Sequence, residues 1–172
     1  MNPSAKDFPI VCVGGSAGGS AAYSQLLRHL PPEMGAAVVI VNHITRTPTT
    51  LHKILPRHAT MPIELITEGL PIQPNHIFII PSNRDLQLLD GKFRLKPISK
   101  PKGWPDVITV FLCSLAQNWD GKLVAVIVSG LDADGAEALS HIRRVGGITI
   151  AQTPGTAEWS DMPESAIKTG NI

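Results

Sequence analysis

Apolar residues recur along this chain with two alternating periods. "PIVCV" (9–13) is a continuous apolar run leading into "GSAAYSQLLRHL" (19–30), where Ala22, Leu26, Leu27 and Leu30 share one helical face. "AAVVIVN" (36–42) leads in the same way into "TTLHKILPRHA" (49–59), with Leu51, Ile54 and Leu55 as the stripe. "IELIT" and "HIFIIP" predict short strands, and "LQLLDGKFRL" predicts two strands around Asp90-Gly91, a dipeptide that favours a two-residue hairpin turn. "DVITVFLCSLAQNW" has helical spacing at Val107, Val110, Phe111 and Leu115. "KLVAVIV" reads as a strand buried on both faces, "DGAEALSHIRRV" as a helix stopped by Gly146-Gly147, and "ITIA" as a last strand. Strands that alternate with helices predict an α/β fold: three αβα layers, a doubly wound and mostly parallel sheet, and one antiparallel hairpin. "KPISKPKGWP" (96–105), rich in proline and lysine, predicts a surface loop within a single domain spanning 1–172.

Composition narrows the function classes. A chain of 172 residues with 43% hydrophobic and 17% charged residues can bury a full core. A net charge of +1 gives no case for a nucleic-acid partner or an anionic membrane surface. Cys12 and Cys113 both lie in apolar runs and read as buried thiols of a reducing compartment. No run approaches the ~20 apolar residues of a membrane helix, and "MNPSAKDFP" lacks the regions of a signal peptide. A cytoplasmic location with no membrane insertion is the expectation.

Ligands of open parallel sheets bind outside the carboxyl ends of the strands. Ser16 follows the first strand, His43 the second, and Asp132 and Asp134 the run "LVAVIVSG". A hydroxyl, an imidazole and a carboxylate on one sheet edge form the inventory of a serine hydrolase. The loop "GGSAG" (14–18) also fits the G-x-S-x-G elbow, although the order Ser, His, Asp differs from that of the α/β-hydrolases. It fails the dinucleotide pattern, since Ser16 stands where a second glycine is needed. A catalytic elbow, a phosphate-cradling loop and a plain turn of small residues remain three readings of the same stretch. "DADG" is likewise a common turn and helix-cap sequence. The remaining histidines show no metal-ligand spacing, and no metal or organic cofactor is expected.

The series "VGGSAGG", "VNHI", "SGLDADGAEAL", "GGITIAQ" and "MPESAI" carries a family resemblance. With "ELITEGLPIQPNHIFIIPS" and "PDVITVF", it follows the order and spacing of the catalytic domain of the bacterial chemotaxis protein-glutamate methylesterases, the CheB family. The chain resembles that domain from about Pro9 to Gly170. The resemblance implies hydrolysis of γ-glutamyl methyl esters on the cytoplasmic helices of chemoreceptors, releasing methanol, and in many members deamidation of receptor glutamines. It makes Ser16 the nucleophile, His43 the base and Asp134 the orienting carboxylate. Leu131 stands where the family has a methionine whose backbone amide helps to form the oxyanion hole.

The rim of the expected site departs from the family pattern. Ala17 replaces a threonine beside the nucleophile, Asp85 a common histidine, and "SDMP" a frequent "GMP". Asp132 is an added carboxylate, expected to lie outward, toward solvent or substrate. The usual member carries an N-terminal receiver domain. The expectation here is an excised domain, from a chain that joins sensory or methyl-transfer modules. A non-catalytic receptor-binding scaffold and a flavodoxin-like nucleotide binder are the rival readings.

Overall fold

A computed structural model describes residues 7–43, 48–100 and 105–172. Six parallel strands form the central sheet, in the order β3-β4-β2-β1-β7-β8. They are β1 (Ile10–Gly15), β2 (Ala37–Asn42), β3 (Ile63–Leu65), β4 (Ile77–Ile79), β7 (Leu123–Ile127) and β8 (Ile148–Ala151). β5 (Arg84–Leu89) and β6 (Lys92–Pro97) form a separate antiparallel pair. The expected hairpin is there, with Asp90 and Gly91 both at positive φ, as a two-residue turn of type I′ requires.

The two-residue period of the strands sorts the core into two layers. Ile10, Cys12, Ala37, Val39, Val41 and Phe78 face α3 (Val107–Asn118), α4 (Leu139–Arg144), α5 (Asp161–Lys168) and the hairpin. Val13, Val38, Ile40, Ile77 and Ile79 face α1 (Gly19–Arg28) and α2 (Leu51–Ile54). Both sheet faces are therefore covered, which explains why these strands read as unbroken apolar runs. Ser114 on α3 bonds both the amide and the carbonyl of Leu88, fixing the hairpin against the helix.

Three elements differ from the sequence reading. α2 lasts one turn and passes into a 3-10 turn, Leu55–His58, because Pro56 cannot donate to a continuing helix; Ile54 is left exposed. "DGAEALSHIRRV" opens as a 3-10 turn, Ala136–Ala138, before α4, and stops at Gly146 (φ +83°), with the Gly147 amide bonded to the Ile142 carbonyl. α5 has no counterpart in the hydrophobic pattern. It is short, and Pro163 sits in its first turn, where its missing N–H costs nothing. Residues 101–104 of the expected surface loop lie outside the described residues.

Candidate active site

β2, β1 and β7 are neighbours, and the turns leaving their carboxyl ends carry the candidate groups. From β1 the chain turns through α1 to β2, and from β7 through α4 to β8 on the other side. The crevice between β1 and β7 is thus the topological switch point. Gly15 pairs with Asn42, so Ser16 and His43 leave adjacent strands at one level. The His43 amide donates to the Gly15 carbonyl at 2.8 Å, and the Ser16 amide to the Ser129 carbonyl at 2.9 Å.

The glycines of the opening motif answer to packing and backbone shape. A Cβ at Gly15 would lie 2.6 Å from the Tyr23 hydroxyl and 2.7 Å from Val128. Gly18 has φ +73°, and its Cβ would lie 2.6 Å from Ser129 Oγ. The amides of Ser16 and Gly19 are engaged by the carbonyls of Ser129 and Ser16. Those two amides are therefore closed to a phosphate.

Ser16 is half-buried, and its Oγ accepts the backbone N–H of Leu131 at 3.2 Å. The Leu131 side chain, 41% exposed, takes no part in that bond. Ala17 contributes its carbonyl, which accepts from Ser129 Oγ at 2.7 Å.

His43 is buried, with Nδ1 3.2 Å from Asp132 Oδ2 and 3.4 Å from Asp134 Oδ2. Asp134 is the deeper of the two. Its oxygens accept the amides of Ile108 (2.9 Å) and Thr109 (3.0 Å), the free donors in the first turn of α3. Asp132 does not lie outward as the sequence suggested. Its Oδ1 accepts the Asp134 amide at 3.0 Å, closing an Asx turn that swings Oδ2 inward onto the imidazole.

The electrostatics follow from this crowding. Burial alone would lower the pKa of His43. The hydrogen bond to Asp134 and the charges of Asp132, Asp134 and Asp106 outweigh it and hold the ring above its ordinary value. Asp132 is raised, first by burial and then by the charges of Asp134 and Asp106, against the opposing pull of the Asp134 amide and His43. Burial, with Asp134 adding to it, pushes the Cys12 thiol far up, so that group stays neutral and inert. A cavity of about 340 Å³, lined by Asp106, Thr109, Asp132, Asp134 and Glu137, adjoins the two carboxylates.

Sequence reasoning missed the residues that assemble the crevice. Ser129, 1% exposed, uses every polar atom it has. Its carbonyl accepts from Ser16, its Oγ donates to Ala17 and accepts from the Trp159 amide, and its own amide donates to Gln152. Tyr23 donates to Asn42 Oδ1 at 2.7 Å, steadying the residue before His43. Met162, fully buried, donates its amide to the Gly130 carbonyl and packs under Gly130. Ser129 and Met162 fall within the family-like stretches "SGLDADGAEAL" and "MPESAI", but nothing there assigns them a part in the crevice, because each role arises only when distant turns meet. Asp85 belongs instead to the hairpin, where its Oδ2 accepts the Ser99 amide at 2.9 Å. Among the described residues no cluster of His, Cys, Asp and Glu could hold a metal ion, and no helix is long and apolar enough to cross a membrane.

Comparison with known proteins agrees with this geometry. The family model described as CheB methylesterase matches residues 11–172. A protein-glutamate methylesterase/protein-glutamine glutaminase of Pseudomonas putida is 33% identical over 161 residues, covering 91% of this chain and 47% of that protein. One from Burkholderia thailandensis is 31% identical over 165 residues, 94% of this chain and 48% of that protein. The chain thus spans about half the length of these curated relatives. The crystal structure of the Thermotoga maritima CheB methylesterase catalytic domain superposes with a TM-score of 0.86 at 27% identity, covering 95% of this chain and 89% of that one. A parallel six-stranded sheet with a side hairpin, a serine–histidine–carboxylate crevice at its switch point, and a match along nearly the whole chain lead to one conclusion: this protein belongs to the CheB methylesterase family.

Proposed function

We propose that the chain is a serine hydrolase that removes methyl groups from glutamate γ-methyl esters on the cytoplasmic helices of chemoreceptors. The same site would deamidate receptor glutamines, and the protein would work in the cytoplasm. What supports this reading is that Ser16 and His43 leave adjacent strands at one level, with buried Asp134 facing the His43 ring and the Leu131 amide on the serine oxygen.

In this reading His43 takes the proton of Ser16 Oγ as that oxygen attacks the ester carbonyl carbon. The carbonyl oxygen becomes an oxyanion, and the Leu131 N–H stabilises it. When the tetrahedral adduct collapses, the C–O bond to the methoxy group breaks, and His43 returns the proton to form methanol. Water, activated by the same ring, then attacks the acyl-enzyme and releases glutamate and Ser16. For a glutamine substrate the leaving group is ammonia. Asp134 holds the ring tautomer and stabilises the imidazolium in both halves of the reaction.

Incubating the chain with a receptor fragment carrying glutamate methyl esters tests the proposal. Methanol release that disappears in Ser16→Ala supports it; release no faster than from fragment alone rejects it.

A further inference from the structure

The proposed reaction needs one carboxylate behind His43, and the crevice holds two. Asp132 Oδ2 is 3.2 Å from Nδ1 and Asp134 Oδ2 is 3.4 Å. The two carboxylates are not equivalent. The Asp134 oxygen facing the ring is the same one that accepts the Ile108 amide, and its other oxygen accepts Thr109. Asp134 is therefore divided between the imidazole and the first turn of α3. Asp132 commits Oδ1 to its Asx turn, and among the described residues Oδ2 has no partner other than the imidazole. Its carboxylate is also the nearer of the two.

We infer that Asp132 is a second positioning residue for His43, so that a pair of carboxylates, and not Asp134 alone, orients the catalytic base. The catalytic consequence rests on the hydrolase reading above; the pairing itself does not. Two carboxylates converging on one point repel each other unless a cation sits between them, and the imidazolium is that cation. When Ser16 yields its proton, the ring gains it on one nitrogen and keeps the proton on Nδ1, which the pair holds. No proton passes to either aspartate. The ring is thus stabilised most at the moment it becomes charged.

Among the described residues, the other ionisable groups around the ring are few. Asp106, ahead of α3, is paired with Lys100, which damps its field. Cys12 beneath Asp134 stays neutral, and Glu137 lies in the wall of the adjoining cavity. Removing Asp132 therefore takes away one of the two carboxylates that, among the described residues, face His43 Nδ1. A rim carboxylate that merely repelled substrate would leave the ring untouched and alter only KM.

The test titrates His43 by NMR in the whole chain, in Asp132→Asn and in Asp132→Ser, and follows hydrolysis of a small neutral ester across pH. Asparagine and serine can both accept from the Asp134 amide and keep the turn, while neither brings a charge to Nδ1. We expect the His43 midpoint to fall by about one pH unit in both variants. The acid limb of kcat/KM should move to lower pH with it. The plateau of kcat should drop roughly tenfold, well short of the about 10⁴ that follows loss of a sole orienting carboxylate, with KM little changed. An unchanged midpoint in both variants, or an effect confined to KM, overturns the inference while leaving the hydrolase reading intact. A fallen midpoint in a chain that hydrolyses no ester upholds the pairing of Asp132 with His43 and rejects the hydrolase reading instead.

Discussion

At the scale of single residues, atoms only a few ångströms apart have separate duties. In the proposed mechanism Ser16 contributes its Oγ to chemistry, while its backbone amide, bonded to Ser129, holds the turn. Ser16→Ala should therefore leave the melting temperature unchanged while lowering hydrolysis by about 10⁴-fold or more, as removal of a nucleophile does elsewhere. A matched loss of stability, seen in a thermal melt, would contradict this division. In the proposed mechanism His43 sets the pH response. Its pKa lies above the ordinary 6.5, so the base is protonated and idle below that midpoint, and kcat/KM should climb as pH rises through it. A profile already flat from pH 6 upward would mean that His43 is not the base. Ser16 and His43 stand out in the sequence because each follows an apolar strand, whereas Asp134 is singled out from Asp132 only by the family resemblance. The position of Asp132 was not legible there. An Asx turn can point a carboxylate either way, and only the bond from the Asp134 amide decides it.

At the scale of elements, one carboxylate serves both a helix and the catalytic site. Asp134 takes the place of an N-cap for α3, since Asp106 at the N-cap position makes no side-chain cap bond. Asp134→Ala should cost about 1–2 kcal/mol of stability beyond its catalytic effect, because two amides lose their acceptor. Asp134→Asn, retaining one acceptor oxygen, should lose less stability but still lose rate; chemical denaturation of both variants checks the order. Gly18→Ala places a Cβ in a left-handed backbone and against Ser129 Oγ. It should cost about 1–2 kcal/mol from the backbone alone and disturb the Ser129 bridge that holds Ala17. If Gly18→Ala proves neutral in both stability and rate, the account of the nucleophile turn fails. The strands and hairpin were readable because a two-residue period and Asp90-Gly91 are local signals. α5 was not, because it places only Met162, Pro163 and Ala166 in the core, too few to show a helical stripe.

At the scale of the whole molecule, the candidate groups gather at one sheet edge because the direction in which strands are added reverses between β1 and β7, although the two strands run parallel. No window of sequence contains that fact; it follows from the strand order, which the alternation of elements permits but does not specify. Charge placement also links the site to global stability. A histidine whose folded pKa is raised stabilises the fold fully below its unfolded value near 6.5, and that contribution fades as pH rises through the folded midpoint. The melting temperature of the native chain should therefore exceed that of His43→Gln by more at pH 6 than at pH 8.5. The reverse trend would place His43 in a site that disfavours its charge.

The central claim is that Ser16 is an activated nucleophile, and covalent labelling tests it most directly. The folded chain, treated with a fluorophosphonate, should form one adduct, which peptide mass spectrometry should map to Ser16. His43→Ala should label far more slowly, and denatured protein not at all. Labelling no greater than in the denatured control, or an adduct on a different serine, would contradict the account.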